Sequence, residues 1–130
     1  MTDRVELARA TFAAFNRRDV EAYLQAFAPD AEWWPLRSST EGPYRGHDGI
    51  RAWVDDTAEM FDHFQVELED VRQGDDVAVA FGRLSAKGRG SGAPVDVAIA
   101  WVFRFVEDKV IWAKSYLDRE EALAEAGLDE

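Results

Sequence analysis

The spacing of hydrophobic and polar positions changes period once along this chain. Through roughly the first half, apolar residues recur at helical intervals. Val5, Ala8, Phe12 and Phe15, with Arg4, Glu6 and Arg9 on other faces, predict a helix over 2–16. Asp19 has the short acceptor side chain of an N-cap, and Val20, Tyr23, Leu24 and Phe27 form the stripe of a second helix over 20–27. So brief a connection makes the two helices a hairpin. Pro29-Asp30 ends it, and 31–36 (AEWWPL) reads as a short strand that Pro35 confines to an edge or a bulge. A polar, glycine-bearing stretch over 37–49 predicts a loop. A third helix then runs from Asp48, taken as its N-cap, to about Phe61, burying Ile50, Trp53, Val54, Thr57 and either Met60 or Phe61.

Beyond this the period becomes two. Strands are predicted over 64–73, 77–88, 95–106 and 110–117, joined by GDD, by a tip with Gly88, Gly90, Gly92 and Pro94, and by EDK. In the third of these, Val97, Ile99, Trp101, Phe103 and Phe105 alternate with Ala98, Ala100, Val102 and Arg104. Such strands exceed the usual ~5–6 residues, which implies a bent sheet. Asp118 opens a last helix that Gly127 closes. Helices early and strands late make an α+β domain, one unit over 1–130, with the helices in the hollow of a curved sheet that encloses a pocket.

Strand parity suggests which residues face that pocket. Arg83 shares a face with Val79, Phe81 and Ser85, and is expected to point inward, where a guanidinium must bind an anion or be paired by Asp70, Asp96 or Glu32. Trp33, Trp53 and Trp101 are expected either to line an aromatic wall or to fill the core. Ala78, Ala80, Gly82, Ala98 and Ala100 then form a smooth outer face, joined by Trp112 and Tyr116, on which a homodimer is expected.

Composition narrows the classes of function. Fifteen basic against 26 acidic residues leave a net charge of −11, which disfavours nucleic-acid and anionic-membrane partners. There is no cysteine, hence no thiolate chemistry and no disulfide. His47 and His63 have no acidic partners at metal-ligand spacing, so no metal site is expected. His47-Asp48 reads as a helix start rather than a catalytic dyad. The N-terminal residues lack the apolar core of a signal peptide, and a cytoplasmic location is expected.

Three segments, NRRDVEAYLQAFAPDAEWWP, YRGHDGIRAWV and FRFVEDKVIWAKSYLDREEAL, resemble the SnoaL-like branch of the nuclear transport factor 2 superfamily. The resemblance covers essentially the whole chain. It implies an NTF2-like cone: a curved antiparallel or mixed sheet wrapped around three N-terminal helices, with a short C-terminal helix. It also implies a cofactor-independent pocket for a small molecule. The positions matching the catalytic groups of the superfamily's steroid isomerases are Thr11, Pro35 and Trp101, none of which supplies the required acid or base. Those matching its epoxide hydrolases are Arg83, Ser85 and Ser115, so the arginine is kept and both acids are lost. The Asp and His of the cyclases have no counterpart on the late strands. The ligand-contacting set implied is therefore Trp33, Trp53, Arg83, Ser85, Trp101 and Ser115, with Arg83 the catalytic candidate. Two functions follow. One is an isomerase, cyclase or lyase acting on a small apolar or aromatic carbonyl compound. The other is a non-catalytic binding or dimerisation domain.

Overall fold

The computed structural model describes residues 4–35, 43–90 and 92–128, the His63 side chain excepted. Its elements are α1 (Arg4–Asn16), α2 (Val20–Gln25), β1 (Phe27–Trp34), β2 (Tyr44–Arg45), α3 (Gly46–Met60), β3 (Phe61–Gln73), β4 (Val77–Gly88), β5 (Pro94–Val106), β6 (Lys109–Tyr116) and α4 (Arg119–Ala126). The expected start of the first helix at Thr2, positions 37–42 of the expected 37–49 loop and Ser91 of the glycine-rich tip lie outside the described residues. The described strands form one mixed sheet in the order β2-β1-β6-β5-β4-β3. Only β1 and β6 pair in parallel. No helix among the described residues is long and apolar enough to cross a membrane.

The long strands bend at irregularities in their ladders, which sharpen local twist. β3 shifts register between Phe61 and His63 and again between Leu68 and Asp70, and the β5–β6 pair shifts between Arg104 and Phe105. Gly82 lies opposite Leu68. A Cβ there would stand 2.2 Å from the Glu67 carbonyl oxygen, so only glycine lets the two backbones approach at this bulge.

Several boundaries moved from those expected. β1 begins at Phe27, because the Ala26 carbonyl already accepts from Val110 N at 2.9 Å and draws the chain into the sheet. Pro29 is tolerated inside β1 because it falls within the irregular stretch between Phe27 and Glu32, and β2 pairs only with Glu32 and Trp33. Asp48 is not the N-cap of α3. That position is Arg45, since Gly46 at φ 71° turns the chain directly out of β2 into the helix. Asp48 instead sits in the first turn, where its charge suits the helix's positive end. The other caps are as expected. Asp19 accepts from Ala22 N at 3.1 Å, and Asp118 accepts from Glu120 N at 2.8 Å. Gly127 ends α4 at φ 73°.

The faces of β4 are reversed from the expectation. Register with β5 puts Ala78 opposite Phe103, Ala80 opposite Trp101, Gly82 opposite Ile99 and Leu84 opposite Val97. These residues belong to the concave core beside α1. Val77, Val79 and Phe81 lie on the convex side, clustered with Ala122 and Leu123 of α4. Both sides of β4 are thus buried, and hydrophobicity alone does not tell them apart. Small residues stand beside the large rings of β5, where the helices need room. The smooth outer face therefore does not exist as one surface. Ala78, Ala80 and Gly82 are inside, and Ala100 is covered in the α4 cluster at 2 % exposure. Ala98 is exposed.

Candidate functional site: an aromatic cavity in the cone

The alternation of β5 works as the sequence predicts. Ile99, Trp101 and Phe103 project to the concave side. α1 brings Thr11, Phe12 and Phe15 over them, α2 brings Tyr23, and α3 brings Trp53 and Thr57 from one face at a spacing of four residues. Trp33 and Pro35 close the β1 side, and Ser115 stands opposite Trp101 on β6. Together with Phe61, Phe64, Val66, Leu84 and Val95, these side chains enclose a cavity of about 200 Å³.

Ring contacts tie the wall together in two groups, one around Phe12 and one around Phe15 and Trp53. Phe12 lies 4.6 Å from Trp101, Phe15 stacks on Trp53 at 5.7 Å, and Trp33 meets Trp53 edge-on at 5.1 Å. Such pairs add roughly 0.5–1.5 kcal/mol each beyond their buried area. They also hold the rings in place, so the cavity is shaped rather than collapsed.

Polar groups on the wall are few. The Thr11 hydroxyl donates to Leu7 O at 2.7 Å, one turn back on its own helix, which leaves its lone pairs but not its proton for an occupant. Trp33 is 4 % exposed, and its Nε1–H has no acceptor among the described residues. Thr57 and Ser115 add hydroxyls. Tyr23 is the one titratable residue among the described lining. Burial raises its phenol well above the ordinary value and keeps it neutral. Among the described residues no three acids or histidines are grouped to hold a metal ion.

Of the residues singled out from sequence, Trp33, Trp53, Trp101 and Ser115 come together on this wall. Arg83 and Ser85 do not. Arg83 is on the convex side, with a guanidinium nitrogen 2.9 Å from Asp96 Oδ1 and 45 % of its side chain exposed. Ser85 faces the same way, opposite Asp96 in the β4–β5 ladder. The expected inward Arg83 is thus corrected by the reversed parity of β4, and of its two possible roles the surface ion pair is the one realised. Glu32 and Asp70 are likewise held at the surface, by Arg45 at 3.3 Å and Arg72 at 3.2 Å. His47 donates from Nε2 to Phe27 O at 2.8 Å and ties α3 to β1. The side chain of His63 lies outside the described residues. Thr11, Pro35 and Trp101, matched from relatives as positions that had lost their catalytic groups, all line the cavity. Tyr23 and Thr57, which the sequence pattern places in the core, also line the cavity. The one sign was a hydroxyl on each otherwise apolar stripe.

A family model described as a SnoaL-like domain matches residues 8–113. The chain belongs to the SnoaL-like family. An uncharacterised protein of Mycobacterium tuberculosis is 41% identical over 95 residues, covering 69% of this chain and 72% of that one. Among solved structures, an NTF2-like protein of unknown function from Burkholderia pseudomallei superimposes with a TM-score of 0.82 at 20% identity, over 97% of this chain and 98% of that one. An NTF2-like protein from Burkholderia thailandensis gives a TM-score of 0.82 at 24% identity, over 99% and 100% of the two chains. At these identities the structures speak for the fold, which is the α+β cone expected from the sequence.

Proposed function

We propose that this SnoaL-like domain binds a small, uncharged, aromatic or apolar molecule in its cone, with no acid–base catalyst among the described residues of its wall. One observation carries the proposal: among the described lining residues the only titratable group is Tyr23, kept neutral by burial. General acid–base catalysis needs a group whose pKa lies near the working pH. Electrostatic stabilisation of an enolate needs a cation or an array of donors at the reacting oxygen. Arg83 was the candidate for that role and stands on the other side of the sheet. The isomerase, cyclase or lyase reading loses its electrostatic group, and the binding reading keeps the cavity.

Size and polarity define the ligand class. About 200 Å³ is below the ~300–1,000 Å³ of sites for drug-sized ligands, which suits a body of one or two rings. The aromatic wall favours flat, polarisable molecules. A titration with the neutral two-ring fluorophore 1-aminonaphthalene tests the proposal. A saturable, one-to-one rise in fluorescence, competed by naphthalene, is the expected result. A rise that never saturates, or that survives excess naphthalene, would overturn it.

A further inference from the structure

We infer that Arg89, which takes no part in lining the cavity, is the clamp that sets how fast an occupant enters and leaves it, by holding the end of α3 and the Phe61 ring across the cavity's mouth. This rests on the binding proposal above and adds control of its kinetics.

Exposure locates the mouth. Among the described lining residues, Phe61, Phe64 and Val95 are partly exposed, and the others are buried. All of the exposed ones lie at one end of the cone. Phe64 and Val95 both pair with Ala86, so they flank a small residue in a row across neighbouring strands, each step about 4.8 Å. Phe61 leans toward this row, its ring 5.4 Å from that of Phe64 at 56°. Phe64 is fixed in turn, edge-on against Phe15 at 5.4 Å. Phe61 follows directly on α3, whose last turn also supplies Thr57 to the wall. An occupant therefore passes between the end of α3 and the row from Phe64 to Val95, with the Phe61 ring in its way.

α3 carries no stop signal of its own at this end. It has no basic residue in its last turn, and Phe61 at its C-cap is extended rather than a left-handed glycine. The last carbonyls of a helix need partners from elsewhere, and they form its negative end. Arg89, on the tip between β4 and β5, meets both needs. Its backbone N donates to Met60 O at 2.9 Å, and its guanidinium donates to Ala58 O at 2.9 Å, Glu59 O at 3.1 Å and Phe61 O at 3.4 Å. A further guanidinium nitrogen lies 2.8 Å from Asp62 Oδ1. Gly88 N donates to Ala93 O at 2.9 Å and keeps the tip closed behind Arg89. These bonds tie one side of the mouth to the other. They are made alike whether the cavity is empty or filled, and a contact equal in two states does not shift the balance between them. They are strained only while a ring passes, so they act on the rates of exchange and not on affinity.

Stopped-flow fluorescence on the full chain tests this, with 1-aminonaphthalene as the probe and naphthalene to displace it. Arg89→Ala is expected to speed association and dissociation alike by about ten-fold, the worth of one hydrogen bond to a charged group, and to keep the dissociation constant within about two-fold. Arg89→Lys keeps the charge and the backbone bond but loses the fork, and is expected to speed both by about three-fold. Arg104→Ala is the control. It frees the end of α4, where Arg104 donates to Glu125 O on the other side of the sheet, and should leave both rates as they are. Wild-type rates in both Arg89 variants, or an equal gain in Arg104→Ala, would overturn the clamp while the binding proposal stands. So would faster dissociation with unchanged association, because Arg89 would then shape the bound site rather than its mouth. Should the alanine variant not fold, the lysine variant decides by the same readings. If the folded wild type does not bind 1-aminonaphthalene at all, the binding proposal fails and the clamp with it.

Discussion

The two faces of the sheet are built from the same strands and serve opposite ends. The concave face is a shell of rings whose contacts leave a space, with hydroxyls such as those of Thr57 and Ser115 as its polar groups. The convex face is covered in part. α4 lies on it through Ala122 and Leu123, and charged groups hold it there: Arg104 to Glu125 at 2.7 Å, and Arg119 over the Phe81 ring at 3.9 Å. Charge is thus put where water can screen it, and the buried side is kept neutral. The difference teaches that the cavity is retained by rigid aromatic packing rather than by polar groups that need filling.

Substitutions at the hinge between the faces, on each face and at the surface test that division, in descending order of effect. Gly82→Val places a side chain against the Glu67 carbonyl, where even a Cβ would be 2.2 Å away. β3 and β4 must then separate at the bulge that curves the sheet. A loss of about 4 kcal/mol or more is expected in urea denaturation, enough to leave much of the chain unfolded. Wild-type stability in this variant would show that the bulge can relax.

On the concave face, Phe15→Ala removes a ring that touches Tyr23, Trp53 and Phe64. It should cost about 3–5 kcal/mol and weaken binding of 1-aminonaphthalene as well. On the convex face, Leu123→Ala should cost about 2–3 kcal/mol while leaving that affinity within two-fold of wild type, about. Equal effects of the two on binding would erase the distinction between the faces.

Alkaline pH should act on both faces through their tyrosines. Burial raises the Tyr23 phenol, and burial followed by the charge of Glu125 pushes Tyr116 up to about 12. Unfolded tyrosine ionises near ~10, so above that pH the unfolded chain loses protons before the folded one does. Stability is therefore complete below pH ~10 and falls as pH rises beyond it. Thermal melts at stepped pH should show this decline, shallower in Tyr23→Phe. A melting temperature that rises across this range would reverse the sign.

The smallest effect belongs to Arg83→Ala. The pair with Asp96 is half exposed, and such pairs contribute about 0–1 kcal/mol. Neither stability nor ligand affinity should change measurably. A clear loss of affinity would return Arg83 to the site.

By itself the sequence determined the order of elements apart from the two-residue β2, the caps at Asp19 and Asp118, and the inward face of β5. Each depends on local signals: a short acceptor before a helix, or large residues alternating with small. Resemblance to relatives added Thr11, Pro35 and Trp101 as positions on one wall. Only the tertiary structure decided the faces of β4, because Val77 to Gly82 is apolar on both sides and its register with β5 comes from pairing across the sheet. That register moved Arg83 and Ser85 out of the site and turned the alanines inward. Tertiary structure also decided that the buried Trp33 Nε1 has no acceptor among the described residues. An indole always carries its N–H, but whether an acceptor lies within reach depends on strands and helices brought together from across the chain.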